Sequence, residues 1–413
     1  MPWIDRLRPG ASIFCAGGMG HPSALVAALD AHAEATRGVT VVWTRPAGFF
    51  ERPPKVPGGT LVTFFGGRDL DGVAGHTRFV PIQYRRLFDW LERDAVFDVA
   101  LLQLTPPGPD GRCSYGLGVD FAPAVIERAG FVVAELNAAL PSPPGAPSVE
   151  LEHLDWWVET LREPPCVERA VDDEVTTAIA RRVADLVEDG DCVQTGIGAL
   201  PDAVLHGLRD RRHLGCHSGV ISDGVRELFE AGVLDGSRKT IDRGLLVTGF
   251  LLGSRALYDW AARCPELLMR PVSYTHDARV LAQIDRLLAI NSALEVDLFG
   301  QVNAEVLQGR QVSGTGGAVD FARGAALSRG GRSIVALPAT AARGTVSRIV
   351  PALAPAAAAT TLRTDIDAVV TEHGVAWLRA KSIEERAEAL VAVAAPGHRD
   401  RLAKEWAAVH AGR

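Results

Sequence analysis

Lysine is nearly absent from this chain of 413 residues. It occurs only at positions 55, 239, 381 and 404, so almost all of the 43 basic residues are arginine. Few amines are left for Schiff-base chemistry. A basic surplus is missing too. The 50 acidic side chains outnumber the 43 basic ones, for a net charge of −7, which argues against a nucleic-acid partner. Cysteine is sparse and scattered: the six thiols, at 15, 113, 166, 192, 216 and 264, form no C-x-x-C pair. That excludes a disulfide-stapled scaffold and fits reduced thiols in the cytoplasm. Long apolar runs are also lacking. The longest stretch without Asp, Glu, Lys or Arg, residues 9–29, follows Arg6 and Arg8 as a signal peptide would. However, Pro9, Gly10, Gly17, Gly18, Gly20 and Pro22 break it. No transmembrane helix and no membrane partner are expected.

What is present is the balance of a globular protein, with 47% hydrophobic and 23% charged residues, enough to build full cores without metal or disulfides. The chain also echoes itself. Residues 10–29 read GASIFCAGGMGHPSALVAAL, and residues 190–208 read GDCVQTGIGALPDAVLHGL. Each has an opening glycine, an apolar run, a glycine cluster, a proline and a helical pattern. Residues 116–130 (GLGVDFAPAVIERAG) return as 316–330 (GGAVDFARGAALSRG), each followed by a strand-like run. Short Val/Ile/Leu runs alternate with helical patterns throughout. This predicts an α/β fold of two tandem, similar domains, with mainly parallel sheets covered by helices. The boundary is expected near 160–175, dividing the chain into 1–168 and 169–413. A new helix should start at Asp172-Asp-Glu, with apolar spacing through Ile179, Val183 and Leu186.

Several loops bear chemistry. Gly196-Ile-Gly198-Ala-Leu-Pro201 follows a strand and opens a helix, so its backbone N–H groups can face an anion or an oxyanion. It is not a dinucleotide fingerprint, and a tight turn is the plainer reading. Ser313-Gly-Thr-Gly-Gly317 suits close backbone approach to a ligand or a bend between elements. His213 and His217 form H-x-x-x-H on a strand-like run, which lacks a third ligand, so no metal is expected. Glu295 and Asp297 share one face of a strand. They suit acid–base work or the capping of a loop.

With these segments quoted, the sequence resembles the acetyl-CoA hydrolase / 4-hydroxybutyrate CoA-transferase family. The matching stretches are Gln194-Thr-Gly-Ile-Gly, Ile221-Ser-Asp-Gly, Asn291-Ser-Ala-Leu-Glu-Val-Asp-Leu-Phe-Gly-Gln-Val and Ser313-Gly-Thr-Gly-Gly-Ala-Val-Asp-Phe. Gly344-Thr-Val-Ser-Arg-Ile-Val-Pro, Val370-Thr-Glu-His-Gly-Val-Ala and Thr105-Pro-Pro-Gly-Pro-Asp-Gly-Arg-Cys-Ser extend them. The resemblance implies two CoA-transferase-like domains with the site between them, an acyl-CoA substrate, no tightly bound cofactor beyond coenzyme A itself, and a homodimer or homotetramer. It places Gly196, Ile197, Gly198, Ala199, Leu200, Leu294 and Gly317 at CoA-contact positions. Ala342, with Arg343 beside it, stands where the family has a lysine.

One departure bears on mechanism. Family transferases attack the thioester with a glutamate in a His-Thr-Glu-x-x-Ser-Asp-Gly segment. Here that segment is His217-Ser218-Gly219-Val220-Ile221-Ser222-Asp223-Gly224, and the nucleophile's position is Gly219. Three outcomes follow. Water replaces the glutamate, in room left by the missing side chain, activated by His217 or Glu295; it hydrolyses the thioester, or a C–C bond in the acyl group. Alternatively, transfer persists on another carboxylate, or the chain binds CoA esters without turnover. Gly219→Glu is expected to favour transfer if the cleft is intact. The bland reading of Gly219 is a backbone position needing φ > 0.

Overall fold

A computed structural model describes residues 1–45, 52–168 and 173–410. The first sheet holds β1 (Ser12–Cys15), β2 (Thr40–Trp43), β3 (Val56–Thr63), β4 (Ala74–Phe79), β5 (Val99–Leu104), β6 (Val132–Asn137) and β7 (Trp156–Thr160). Its order is β4-β3-β2-β1-β5-β6-β7, and every neighbouring pair is parallel. The second sheet holds β8 (Cys192–Thr195), β9 (Gly215–Cys216), β10 (Leu287–Ser292), β11 (Arg332–Ala336), β12 (Ala368–Thr371) and β13 (Gly374–Trp377). Its order is β9-β8-β10-β11-β12-β13, parallel except for the last pair.

The duplication is carried by the topology. The run β2-β1-β5-β6-β7 has its counterpart in β9-β8-β10-β11-β12. The two sequence echoes fall at equivalent places. One makes β1 with the helix Ser23–Ala31 and β8 with the helix Ala199–His206. The other puts Asp120 and Asp320 ahead of β6 and β11.

Parallel strands buried on both faces read as continuous apolar runs, and Val99–Leu104 (VALLQL) is buried along its whole length. Side chains alternate between faces. Ile13 and Cys15 pack with Leu25 and Leu29 on one side of the first sheet. Phe14 packs with Leu87, Phe88 and Leu91 on the other. That second cluster continues through Val193, Ile221 and Ile290, so the two halves share one apolar core. The helix expected after the boundary is Glu174–Asp185, with the side chain of Asp173 accepting from Thr176 N and Ile179 and Val183 buried. The expected boundary itself abuts residues 169–172, which lie outside the described residues. Among the described residues, no helix is long and apolar enough to cross a membrane.

Candidate functional site

The first glycine-rich loop lies at the carboxyl end of β8, the edge where ligands of parallel sheets gather. Gly198 sits at φ +113, in the region that favours glycine, and caps the helix Ala199–His206. Pro201 brings no N–H, so an anion at this helix start would meet the amides of Ala199 and Leu200. Beside this loop is a cleft of about 260 Å³, lined by Ile197–Ala199, Ser222–Gly224, Leu252, Gly253, Val167 and Glu168. Ser222 Oγ donates to Asp202 Oδ1 at 3.0 Å, tying the Ser-Asp-Gly segment to the loop's helix. Asp223 accepts from Ser254 N at 2.7 Å and from Ser254 Oγ at 2.6 Å. Two of the motifs singled out in the sequence thus form one wall. Gln194 and Asn291 exchange amide hydrogen bonds across β8 and β10, at 3.4 and 3.2 Å.

The corresponding corner of the first sheet is already filled. Glu135, fully buried, accepts from Ala24 N near the start of the helix Ser23–Ala31 at 2.7 Å, and from Thr160 Oγ1 at 3.0 Å. Arg162 Nε lies 3.3 Å from the same carboxylate.

Gly219 is not among the residues with positive φ, so the left-handed reading of this glycine is wrong. Its need for hydrogen alone has another cause. A Cβ built there would lie 2.8 Å from His276 Cε1 and 2.9 Å from Nε2. The room expected beside Gly219 for a water is therefore taken by an imidazole. Gly317, at φ −96, meets the same ring: its Cβ would collide with Nε2 and Cδ2. The other glycines of the 313–317 loop also have structural reasons. Gly314 packs against the Phe64 carbonyl, and Gly316 sits at φ +52. The loop is sewn to the first half by Gly66 N to Ser313 O (3.0 Å), Tyr84 N to Gly316 O (3.2 Å) and Thr315 Oγ1 to Ile82 O (2.7 Å).

His217 is fully buried and stacks on Tyr274. Its Nε2 donates to Thr275 O at 3.1 Å, which leaves Nδ1 without a partner among the described residues. Burial, helped by the Lys239 charge, lowers its pKa to about 3. His276 is lowered to about 3 by burial alone. Both rings are neutral at physiological pH.

Glu295 stands apart from this group. It accepts from Asn303 Nδ2 at 2.9 Å, and none of its hydrogen bonds reaches His217 or Gly219. Its neighbour Asp297 caps a loop, accepting from Phe299 N, Gln301 N and Gln301 Nε2 at 3.1, 2.9 and 2.7 Å. Leu294 is half-buried, its N–H on Asn303 O. Ala342 and Arg343 form the exposed tip of the Thr340–Ser347 hairpin, at φ 49 and 55. His213 pairs with Asp235 at 2.8 Å, away from His217's partner. The structure thus joins residues 197–199 with 222–224, and Gly219 with Gly317. His276 was not singled out from the sequence. Nothing local marks it, because its neighbours here are two glycines distant along the chain.

The acetyl-CoA hydrolase/transferase N-terminal domain matches residues 73–160, and the C-terminal domain of that name matches residues 253–406. The 4-hydroxybutyrate coenzyme A transferase of Clostridium kluyveri is 40% identical over 350 residues, covering 83% of this chain and 80% of its own length. An acetyl-CoA hydrolase of Neurospora crassa is 26% identical over 336 residues, covering 71% of this chain and 62% of its own. The crystal structure of RipA from Yersinia pestis superimposes with a TM-score of 0.89 at 31% identity, over 97% of this chain and 94% of that one.

Proposed function

Because the chain belongs to the acetyl-CoA hydrolase/transferase family, we propose that it binds an acyl-CoA ester and delivers the acyl group to water. The reaction is acyl-CoA plus water giving a free acid and CoA thiol. The observation that carries this reading is at Gly219. The resemblance assigns the nucleophile to that position, yet it offers no carboxylate, and a neutral imidazole fills the space beside it. Losing a covalent nucleophile costs on the order of 10⁴–10⁶ in rate if the mechanism stays the same, so a route that avoids it is favoured. In this reading the pantetheine arm lies in the cleft between residues 197–199 and 222–224. The amides of Ala199 and Leu200 face the oxyanion.

Thiol release from a panel of acyl-CoA esters, run in ¹⁸O-water, tests the proposal. The expected result is thiol release with one label in the acid and no acidic residue trapped by hydroxylamine or borohydride. Product masses separate thioester cleavage from C–C cleavage. A trapped glutamyl or aspartyl thioester, with CoA exchanged between acids, overturns it.

That outcome is the second reading, transfer on a different carboxylate. It is favoured by one observation: the relative at 40% identity is named a transferase, whereas the hydrolase stands at 26%.

A further inference from the structure

We infer that the first half carries a second ligand site, an apolar pocket over β2–β4 that takes an amphipathic monocarboxylate, its chain inside and its carboxylate on Arg78. The pocket shares no lining residue with the cleft beside residues 197–199. The inference stands apart from the hydrolytic reading, because binding is read without turnover.

The topology makes the pocket. From β1 to β4 the chain steps across the sheet in one direction. Right-handed crossovers then put all three connections on one face, the face of Leu25 and Leu29. On the opposite face the helix Tyr84–Arg93 packs Leu87, Phe88 and Leu91 against Phe14 of β1. At the flank of that helix, over β2 to β4, a cavity of about 370 Å³ remains, within the roughly 300–1,000 Å³ of small-molecule sites. Val42, Val62 and Phe64, all buried, line its sheet side. Trp90 lines it from the helix and meets Phe64 edge-on at 6.3 Å between centroids. An aliphatic or aryl chain entering here leaves water for a largely apolar wall.

The polar groups choose the head of the ligand. Arg78 is the one charged residue lining the cavity among the described residues. The register sets Val42, Val62 and Arg78 in one row across the sheet, so the Arg78 stem leaves the same face as the apolar floor. Because β4 is the edge strand, its exposed guanidinium stands at the rim. Among the described residues, the Arg78 side chain makes no hydrogen bond or ion pair, and Thr40 Oγ1 at the other end has no partner either. Ser12 Oγ, by contrast, already lies 3.0 Å from Val96 O and 2.9 Å from Asp98 Oδ2. One unspent guanidinium matches one carboxylate, which its planar fork can hold by two hydrogen bonds. A dianion would keep a charge unmatched.

Calorimetric titration of the full chain with octanoate tests the assignment. One octanoate is expected per chain at this pocket. Arg78→Gln, on an exposed edge position, is expected to weaken it about tenfold or more, the size of one charge-assisted hydrogen bond. 1-Octanol, which lacks the charge, is expected to bind wild type and Arg78→Gln alike. Thr40→Phe fills the pocket and is expected to abolish octanoate binding with the thermal midpoint near that of wild type; should it fail to fold, Arg78→Gln decides. Trp90→Phe is expected to remove the change in indole fluorescence that octanoate causes. Octanoate that binds Arg78→Gln as tightly as wild type sits elsewhere and overturns the inference, and so does a wild type that gives no heat. A chain that ignores octanoate but self-associates through this face, and loses the association on Val96→Asp, overturns it in favour of a second copy.

Discussion

Gly219→Glu does not by itself rebuild a covalent site, because the His276 ring stands where the new side chain must begin. Overpacking of this kind costs about 1–3 kcal/mol. The single variant is expected to melt earlier than wild type and to yield no hydroxylamine-trappable carboxyl. Combining it with His276→Ala opens the space, and the pair is expected to recover both stability and trapping. Glycine at 219 was legible in the sequence, because a motif surrounds it and one letter departs from the pattern. The reason for the glycine was not legible. His276 lies between Thr275 and Asp277 with no periodic or motif signal, and the residues it packs against are ones that only the fold brings near.

Among the elements, those with a local chemical signature were the ones the sequence revealed. The Gly198 turn and the helix after it follow from a strand, a glycine pair and a proline in order. Glu295 and Asp297 were legible as a pair on one strand face, but not as residues of different duty. Asp297 serves three N–H donors of its own loop, whereas Glu295 serves Asn303. Nothing in their spacing separates the two. The helix Ile383–Val393 shows how local such stability is. Ser382 accepts from Glu385 N while the Glu385 side chain accepts from Ser382 N. Ser382→Ala is expected to cost about 1 kcal/mol in chemical denaturation, with activity unchanged.

Across the whole molecule, buried titratable groups pull stability in opposite directions. Burial lowers His21 to about 4, and His217 and His276 to about 3. Unfolded histidines bind protons below about 6.5. Stability governed by these three is therefore full above that pH and falls as pH drops toward 3. Asp120 and Asp320, the equivalent residues of the two repeats, are raised by burial to about 7. The folded chain keeps their protons after the unfolded one has lost them near 3.8, so stability falls as pH rises from about 4 to 7. Asp120 Oδ1 has no hydrogen-bond partner among the described residues. Asp120→Asn removes one of these titrations. Its stability relative to wild type is expected to improve between pH 4 and pH 8 by on the order of a few kcal/mol, read as the pH dependence of the thermal midpoint. The doubled sheet order was foreshadowed by the repeats, because glycine clusters and the Val-Asp-Phe-Ala tetrad survive in both copies. Their divergence was not, and it decides how the two copies differ. With Glu135 seated on Ala24 and Arg162 leaning on it, the amino-terminal twin is plugged by its own chain. On the proposed hydrolytic reading, a body built twice is expected to take up one ester per chain, which the stoichiometry of a calorimetric titration checks.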